Sequence, residues 1–248
     1  MLTRPRGLLI DYGETLVEEV GFDPRAGTAM LLSRAAHVPS HVTLEMVLDR
    51  ANAISNEVAA RRDRCLVETP WPMLTRLIHD YFGTRFDEPM PQLELAFWQA
   101  SMTTHAMSGA RDALDEVRRR GMPMGVVSNT SFRHEVIRYE LDKHGLADHL
   151  AFVVASADYA VRKPHPLLFE TAAARLGVAP RDIWFVGDRL DTDVAGARAA
   201  GMTAVWFRPP GSEEVGSADL TVASWAELVE LIDGIVRNEM RLAGEWET

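Results

Sequence analysis

Four short stretches of this chain carry the side chains best suited to chemistry. Asp11-Tyr12-Gly13-Glu14-Thr15-Leu16 comes first, then Ser128-Asn129-Thr130, then Arg162-Lys163-Pro164-His165-Pro166, and last Gly187-Asp188-Arg189-Leu190-Asp191-Thr192-Asp193. The carboxylates of Asp11 and Asp188 are hard oxygen donors of the kind Mg²⁺ prefers. Two such groups brought together without a cation would raise each other's pKa sharply, so the pair argues for a metal. Each stretch also has a plain structural reading. Asp11 or Asp191 could cap a helix or form a turn, Ser128-Asn129 could cap a helix beginning near Phe132, and Lys-Pro is a common loop dipeptide. Taken singly, the structural readings win. The weight lies in all four occurring in order, each at the end of an expected strand or the start of a helix.

The elements that must position them follow from the apolar pattern. Gly7 to Ile10 reads as a short buried strand that delivers Asp11 at its carboxyl end. From Gly109 onward helices and strands alternate. The helices are Ala110 to Arg120, Phe132 to His144, Pro166 to Leu176 and Thr192 to Ala200. The strands are Met124 to Val127, Ala151 to Ala155, Ile183 to Val186 and Thr203 to Phe207, and Val222 ends a last short strand before a helix from Trp225 to Val236. Short apolar strands alternating with helices predict a parallel sheet covered on both faces. Between residues 17 and 107 the spacing is helical: Arg25 to His37 after the Asp23-Pro24 start, Thr43 to about Arg62, Trp71 to Phe82, and Gln92 to Ala106. No strand is expected there. The predicted fold class is α/β, a doubly wound, Rossmann-like parallel sheet with an inserted all-helical domain. Residues 1–16 and 108–236 would form the core, 17–107 the insert and 237–248 a tail. In such sheets ligands bind beyond the carboxyl ends of the strands.

With its four signatures in this order, the sequence resembles the haloacid dehalogenase superfamily. The match covers nearly the whole chain, and the stretch Asp188 to Asp193 followed by Ala195-Gly196-Ala197-Arg198-Ala199-Ala200-Gly201-Met202 is its most specific part. The resemblance implies a helical cap after the first motif and an Mg²⁺-dependent hydrolase acting on a small phosphorylated molecule. It implies Asp11 as nucleophile, with Asp11, Asp188 and the backbone carbonyl of Gly13 as metal ligands and Asp193 orienting the ligand shell. Lys163 would neutralise Asp11 and a phosphate oxygen, while Ser128 and the backbone N–H of Asn129 hold the transferring group. Such catalysis works by positioning and electrostatics through an aspartyl-phosphate.

One position departs from that pattern. Phosphatases of this superfamily usually read Asp-x-Asp-Gly-Thr in the first motif, and the second Asp serves as general acid and base. Here Gly13 stands in its place and Glu14 in the place of the usual glycine. Loss of a general acid–base costs about 10² to 10⁴ in rate. Glu14 is the nearest carboxylate, one residue along the turn, and His37, His41, His79 and His105 are further candidates. Two alternatives remain beside the phosphatase reading, and a third is set aside. A phosphate-binding homologue with weak or lost turnover would explain Gly13. A 2-haloacid dehalogenase needs no acid but has no counterpart of Asp188. A Schiff-base phosphonate hydrolase needs a lysine in the insert, and residues 17–107 contain none.

Composition narrows the partners. The 248 residues are 47% hydrophobic and 25% charged, with Lys plus Arg 26 against Asp plus Glu 36, a formal charge of −10. The arginines are scattered from Arg4 to Arg241 without a basic stripe, which argues against nucleic acid. No apolar run approaches a membrane span. No signal peptide is read at the start, and the lone Cys65 can form no internal disulfide, so the expected location is the cytoplasm, as monomer or homodimer. Glu18 and Glu19, near the expected entrance, weigh weakly against highly anionic ligands. Candidate hinges are Val17 to Gly21 and Thr103 to Gly109, and the insert's aromatic residues Trp71, Phe82, Phe97 and Trp98 are expected to form its own core.

Overall fold

The computed structural model describes residues 4–208 and 216–242. Its first strand, β1 (Gly7–Ile10), is buried at every position. The chain then leaves the sheet through β2 (Val17–Phe22), α1 (Pro24–Arg34), α2 (Leu44–Cys65), α3 (Trp71–Phe82) and α4 (Met90–Ser101), and returns through β3 (Met102–Ala106). The alternating part follows: α5 (Ala110–Arg119), β4 (Met124–Ser128), α6 (His134–Lys143), β5 (Val153–Ala155), the short α7 (Ser156–Tyr159), α8 (Pro166–Leu176) and β6 (Ile183–Gly187). A π-helical turn at Leu190–Val194 leads into α9 (Ala195–Ala199), then β7 (Thr203–Phe207), β8 (Leu220–Val222) and α10 (Trp225–Leu242). Among the described residues no helix is long and apolar enough to cross a membrane.

The six core strands lie in the order β5-β4-β1-β6-β7-β8, all parallel. The first excursion from β1 runs outward through β4 to β5, and the chain then crosses back to β6 on the other side. The strand order therefore reverses at β1, where open parallel sheets leave a crevice at their carboxyl ends. Alternation within β1 builds two apolar layers. Leu8 and Ile10 face one layer with Leu114, Ile137 and Trp225, and Leu9 faces the other with Phe169, Phe185 and Ala197. Gly125 on β4 lets the Phe152 ring pack directly on the sheet, since a Cβ there would fall 2.6 Å from that ring.

Between residues 17 and 107 the expectation of no strand is corrected. The two ends of the insert pair as an antiparallel ribbon, β2 with β3, in the register Val17↔Ala106, Glu18↔His105 and Glu19↔Thr104, with an irregularity between Glu19 and Gly21. The ribbon escaped the sequence because both strands are short and largely exposed, so the period-two signal is missing. The helical spacing of α4 reads on to Ala106, whereas the chain turns extended at Met102. The helices themselves lie close to expectation. Asp23 accepts from the backbone N–H of Arg25 and Ala26, and Thr43 from that of Met46, so each caps a helix. At the other end of the chain the last helix continues past Val236 to Leu242, through Asn238 to Leu242, which contain neither Gly nor Pro. Residues 243–248 of the expected tail lie outside the described residues.

Three buried carboxylates join the insert to the sheet unit. Glu94 of α4 accepts from the Arg133 backbone N–H at 2.9 Å and from its guanidinium Nε at 2.6 Å. Glu140 of α6 accepts from Trp98 Nε1 at 2.9 Å and Thr104 Oγ1 at 2.5 Å. Glu68 accepts from Ser156 Oγ at 2.7 Å and pairs with Arg162. Burial holds the Glu94 carboxyl above its ordinary value despite the Arg133 contacts. Removing one partner of a buried pair strands the other charge. Arg133→Met is expected to lower the unfolding free energy by about 3 kcal/mol in urea titrations near neutral pH. A loss below about 0.5 kcal/mol, the scale of a surface substitution, would show that Glu94 is not stranded.

Candidate functional site

The four stretches converge at the carboxyl ends of the central strands. The Asp11 backbone N–H donates to Val186 O at 2.9 Å, which fixes the first loop on the end of β6. The next residues fold into a tight turn closed by Leu16 N–H and Val17 N–H, both donating to Tyr12 O. That turn places Glu14 in the left-handed region, φ 54°, a conformation costing a side chain roughly 1 kcal/mol or more and ordinarily left to glycine. Glu14 Oε1 in turn accepts from Glu19 N at 3.1 Å.

Lys163 lies at the centre of the site and is 2% exposed. Its ammonium donates to Asp11 Oδ1 at 2.5 Å and to the Val127 carbonyl at 2.9 Å. It also lies 2.7 Å from Asp193 Oδ1, a charge contact poorly aligned for a hydrogen bond. The carboxylates of Asp11, Asp188 and Asp193 each offer an oxygen within 4.8 Å of the others. Asp193 Oδ2 accepts from the Arg189 N–H at 3.1 Å. This packing requires glycine at 187, because a Cβ there would fall 2.4 Å from Asp193 Oδ2.

A cavity of about 910 Å³ opens above these groups. Asp11, Gly13, Ser128, Asn129, Lys163 and Asp188 all line it, while Asp193 lies beneath, fully buried. The seven residues singled out in the sequence thus come together. Asn129 does more than its sequence suggested. Its side chain grips the Lys163 main chain in both directions, accepting from Lys163 N at 2.7 Å and donating to Lys163 O at 3.0 Å. The two lie 34 positions apart, so no local pattern could have revealed that pairing. None of the eight histidines lines the cavity, and His79 is buried in the insert against Phe86, its pKa lowered by burial to about 4. From the insert come Glu19, Phe22, Arg62, Leu66, Trp98 and Met102. Trp98 was expected only in the insert's core, where Trp71 and Phe97 do stack with Phe132 of the sheet unit.

The chain belongs to the haloacid dehalogenase-like hydrolases, whose family pattern matches residues 44–201. It is a hydrolase of that family, and several of its relatives are named as phosphatases. It is 36% identical to a phosphoserine phosphatase of Thermus thermophilus over 55% of each chain. It is 29% identical to a glyceraldehyde 3-phosphate phosphatase of Pyrococcus furiosus over 74% of this chain and 84% of that one. Among solved structures, a phosphatase of this family from Thermococcus onnurineus superposes with a TM-score of 0.62 at 25% identity, covering 92% of this chain and 98% of the other.

The electrostatics of the cluster are unbalanced, with three carboxylates around one ammonium. Asp188 is pushed up to about 7, by burial first and then by Asp11 and Asp193. Asp193 is pushed up to about 6 by burial, which outweighs the pull of Lys163. Both acids hold their protons more tightly folded than unfolded. Their contribution to stability is therefore full below about pH 4 and is lost as pH rises through the folded values. In chelator-treated protein, Asp188→Asn is expected to melt above the parent at about pH 8 and to lose that advantage at about pH 5. A variant melting below the parent at the higher pH would contradict this assignment.

Proposed function

We infer that this protein is an Mg²⁺-dependent phosphatase of a small phosphorylated metabolite, with Asp11 as the nucleophile. One observation carries the reading: Asp11, Asp188 and Asp193 crowd together with Lys163 on the floor of a large cavity at the strand-order reversal. The donor set fits a hard divalent cation. It is all oxygen, it carries more negative charge than Lys163 offsets, and its acids are driven toward protonation when no further cation is counted. Asp11, Asp188 and the Gly13 carbonyl would hold Mg²⁺, with Asp193 orienting the shell and keeping Lys163 in place. Bound there, Mg²⁺ would neutralise charge on the phosphoryl oxygens.

The chain's own groups supply the rest. Lys163 lowers the charge of Asp11 and of a phosphoryl oxygen. Ser128 and the Asn129 backbone N–H hold the transferring group, while the Asn129 side chain holds the lysine. An Asp11 oxygen then attacks phosphorus in line with the departing alkoxide, and water later discharges the aspartyl-phosphate. The named phosphatase relatives support that substrate class. We read residues 17–107 as a cap over a core of 1–16 and 108–236, hinged at the β2–β3 ribbon. A cytoplasmic setting fits the single cysteine. Gly13 favours the second reading, a phosphate binder with little turnover. Asp188 speaks against a dehalogenase, which has no counterpart of it.

A phosphate-release screen over small phosphoesters and an aryl phosphate, with and without Mg²⁺, tests the reading. The parent is expected to release phosphate only with the metal, and Asp11→Asn to lose about 10³-fold or more. Equal turnover by the two would remove Asp11 as nucleophile, and a parent that binds phosphate but never turns over would favour the binder.

A further inference from the structure

A phosphatase with glycine at position 13 still needs a group to protonate the leaving alcohol and to deprotonate the attacking water. We propose that Glu19, on the ribbon strand β2, is that group. The inference rests on the phosphatase reading above and adds to it the residue that moves the proton.

The carboxylates lining the cavity are Asp11, Glu14, Glu19, Asp188 and Asp191. Four are already engaged. Asp11 is bound to Lys163 and Asp191 to Arg189, Glu14 accepts from Glu19 N, and Asp188 belongs to the acidic trio. No described residue hydrogen-bonds or pairs with the Glu19 carboxylate. Its direction follows from the ladder. Glu19 stands opposite Thr104, and directly opposed residues of an antiparallel pair share a face. Thr104 is buried on that face, with its hydroxyl on Glu140 and His144, and Val17, two residues from Glu19, is buried as well. Glu18 and His105 take the opposite face. The irregularity after Glu19 is the kind of feature that re-aims a side chain beside a site.

The surroundings suit a proton donor. Facing Glu19 are Glu14 in the turn, Asp11 and Tyr12 at the end of β1, and Glu140 from α6 with Lys143 and His144 around it. Arg62 from α2 and Arg162 beside Lys163 also line the cavity. Glu19 itself stays exposed on the cavity wall. Crowding by the protein around it raises its pKa, and Glu14, Asp11 and Glu140 raise it further, so its proton is retained to higher pH than on a free glutamate. In the first half-reaction the Asp11 carboxylate forms a bond to phosphorus, the ester O–P bond breaks, and the Glu19 proton passes to the departing alkoxide. In the second, water attacks phosphorus and gives its proton to Glu19. The bond from phosphorus to Asp11 breaks, and its electron pair returns to that carboxylate.

p-Nitrophenyl phosphate separates the halves, because nitrophenolate leaves without a proton. With Mg²⁺, Glu19→Gln is expected to release about one nitrophenolate per protein rapidly and then turn over about 10²-fold slower than the parent. Mass spectrometry of the quenched protein should show phosphate accumulated on the Asp11 peptide, and the carboxylate limb of the parent's pH–rate profile should disappear. Glu18→Gln, on the outer face of the ribbon, should behave as the parent. A Cβ at Gly13 meets nothing within 4 Å, so Gly13→Asp added to Glu19→Gln should restore discharge. If Glu19→Gln discharges the phosphorylated protein at the parent rate, or slows its formation and discharge equally, the role of Glu19 is overturned while the phosphatase reading stands. If the parent itself never labels Asp11, the phosphatase reading falls and Glu19 with it.

Discussion

A single buried ammonium among carboxylates sets the constraints on the rest of this molecule. Lys163 is removed from water, yet it donates to Asp11 and Val127 and stands against Asp193. Charge burial of that kind is tolerated only when partners are close and fixed. The fold fixes them by drawing on separate strand ends. β1 delivers Asp11, β4 delivers Val127 and Asn129, and the turn after β6 delivers Asp188 and Asp193. Lys163 itself comes from the loop before α8, far less regular than a strand, and Asn129 anchors its main chain at both the N–H and the carbonyl. The glycine at 187 belongs to the same construction, since only a missing Cβ lets the Asp193 carboxylate lie against that strand end.

The insert is tied to this centre through groups that border it. Arg162, next to Lys163, pairs with Glu68, and its backbone N–H donates to Leu66 O at 3.0 Å. Trp71 N–H donates to Ser131 O at 2.7 Å, close to the Ser128-Asn129 corner. Glu94 and Glu140 repeat the pattern on the side of α6. All three carboxylates are within 2% of complete burial, so the joint between insert and core is polar and specific at its contacts, with the Trp71, Phe97 and Phe132 rings filling the space between. Any movement of the insert must break these contacts together, while the β2–β3 ribbon keeps it attached.

The parts legible in the sequence were those with a local signature. Short apolar runs ending in Asp11, Ser128 and Asp188 announced the sheet and its functional edge, and the helices of the alternating half fell close to their expected limits. The parts that were not legible depend on contacts distant in sequence or on weak patterning. The ribbon strands are exposed and irregular, so nothing in Val17 to Phe22 or Met102 to Ala106 alternates cleanly. Asn129 could be placed at the site, but not its hold on Lys163. Glu68, Glu94 and Glu140 look like ordinary helix or loop glutamates until the fold buries them. In the sequence Glu19 reads only as acidity near an entrance, because the face it occupies is set by pairing with Thr104.

The central claim is that Asp11, Asp188 and the Gly13 carbonyl would hold a divalent cation, with Asp193 and Lys163 fixed beside them. Anomalous diffraction from crystals grown with Mn²⁺ in place of Mg²⁺ tests it most directly. The account predicts a manganese peak between the Asp11 and Asp188 carboxylates, with the Gly13 carbonyl turned toward it. A cation bound only at the exposed trio of His134, Glu135 and Asp158, or no peak at the strand ends at saturating Mn²⁺, would contradict it.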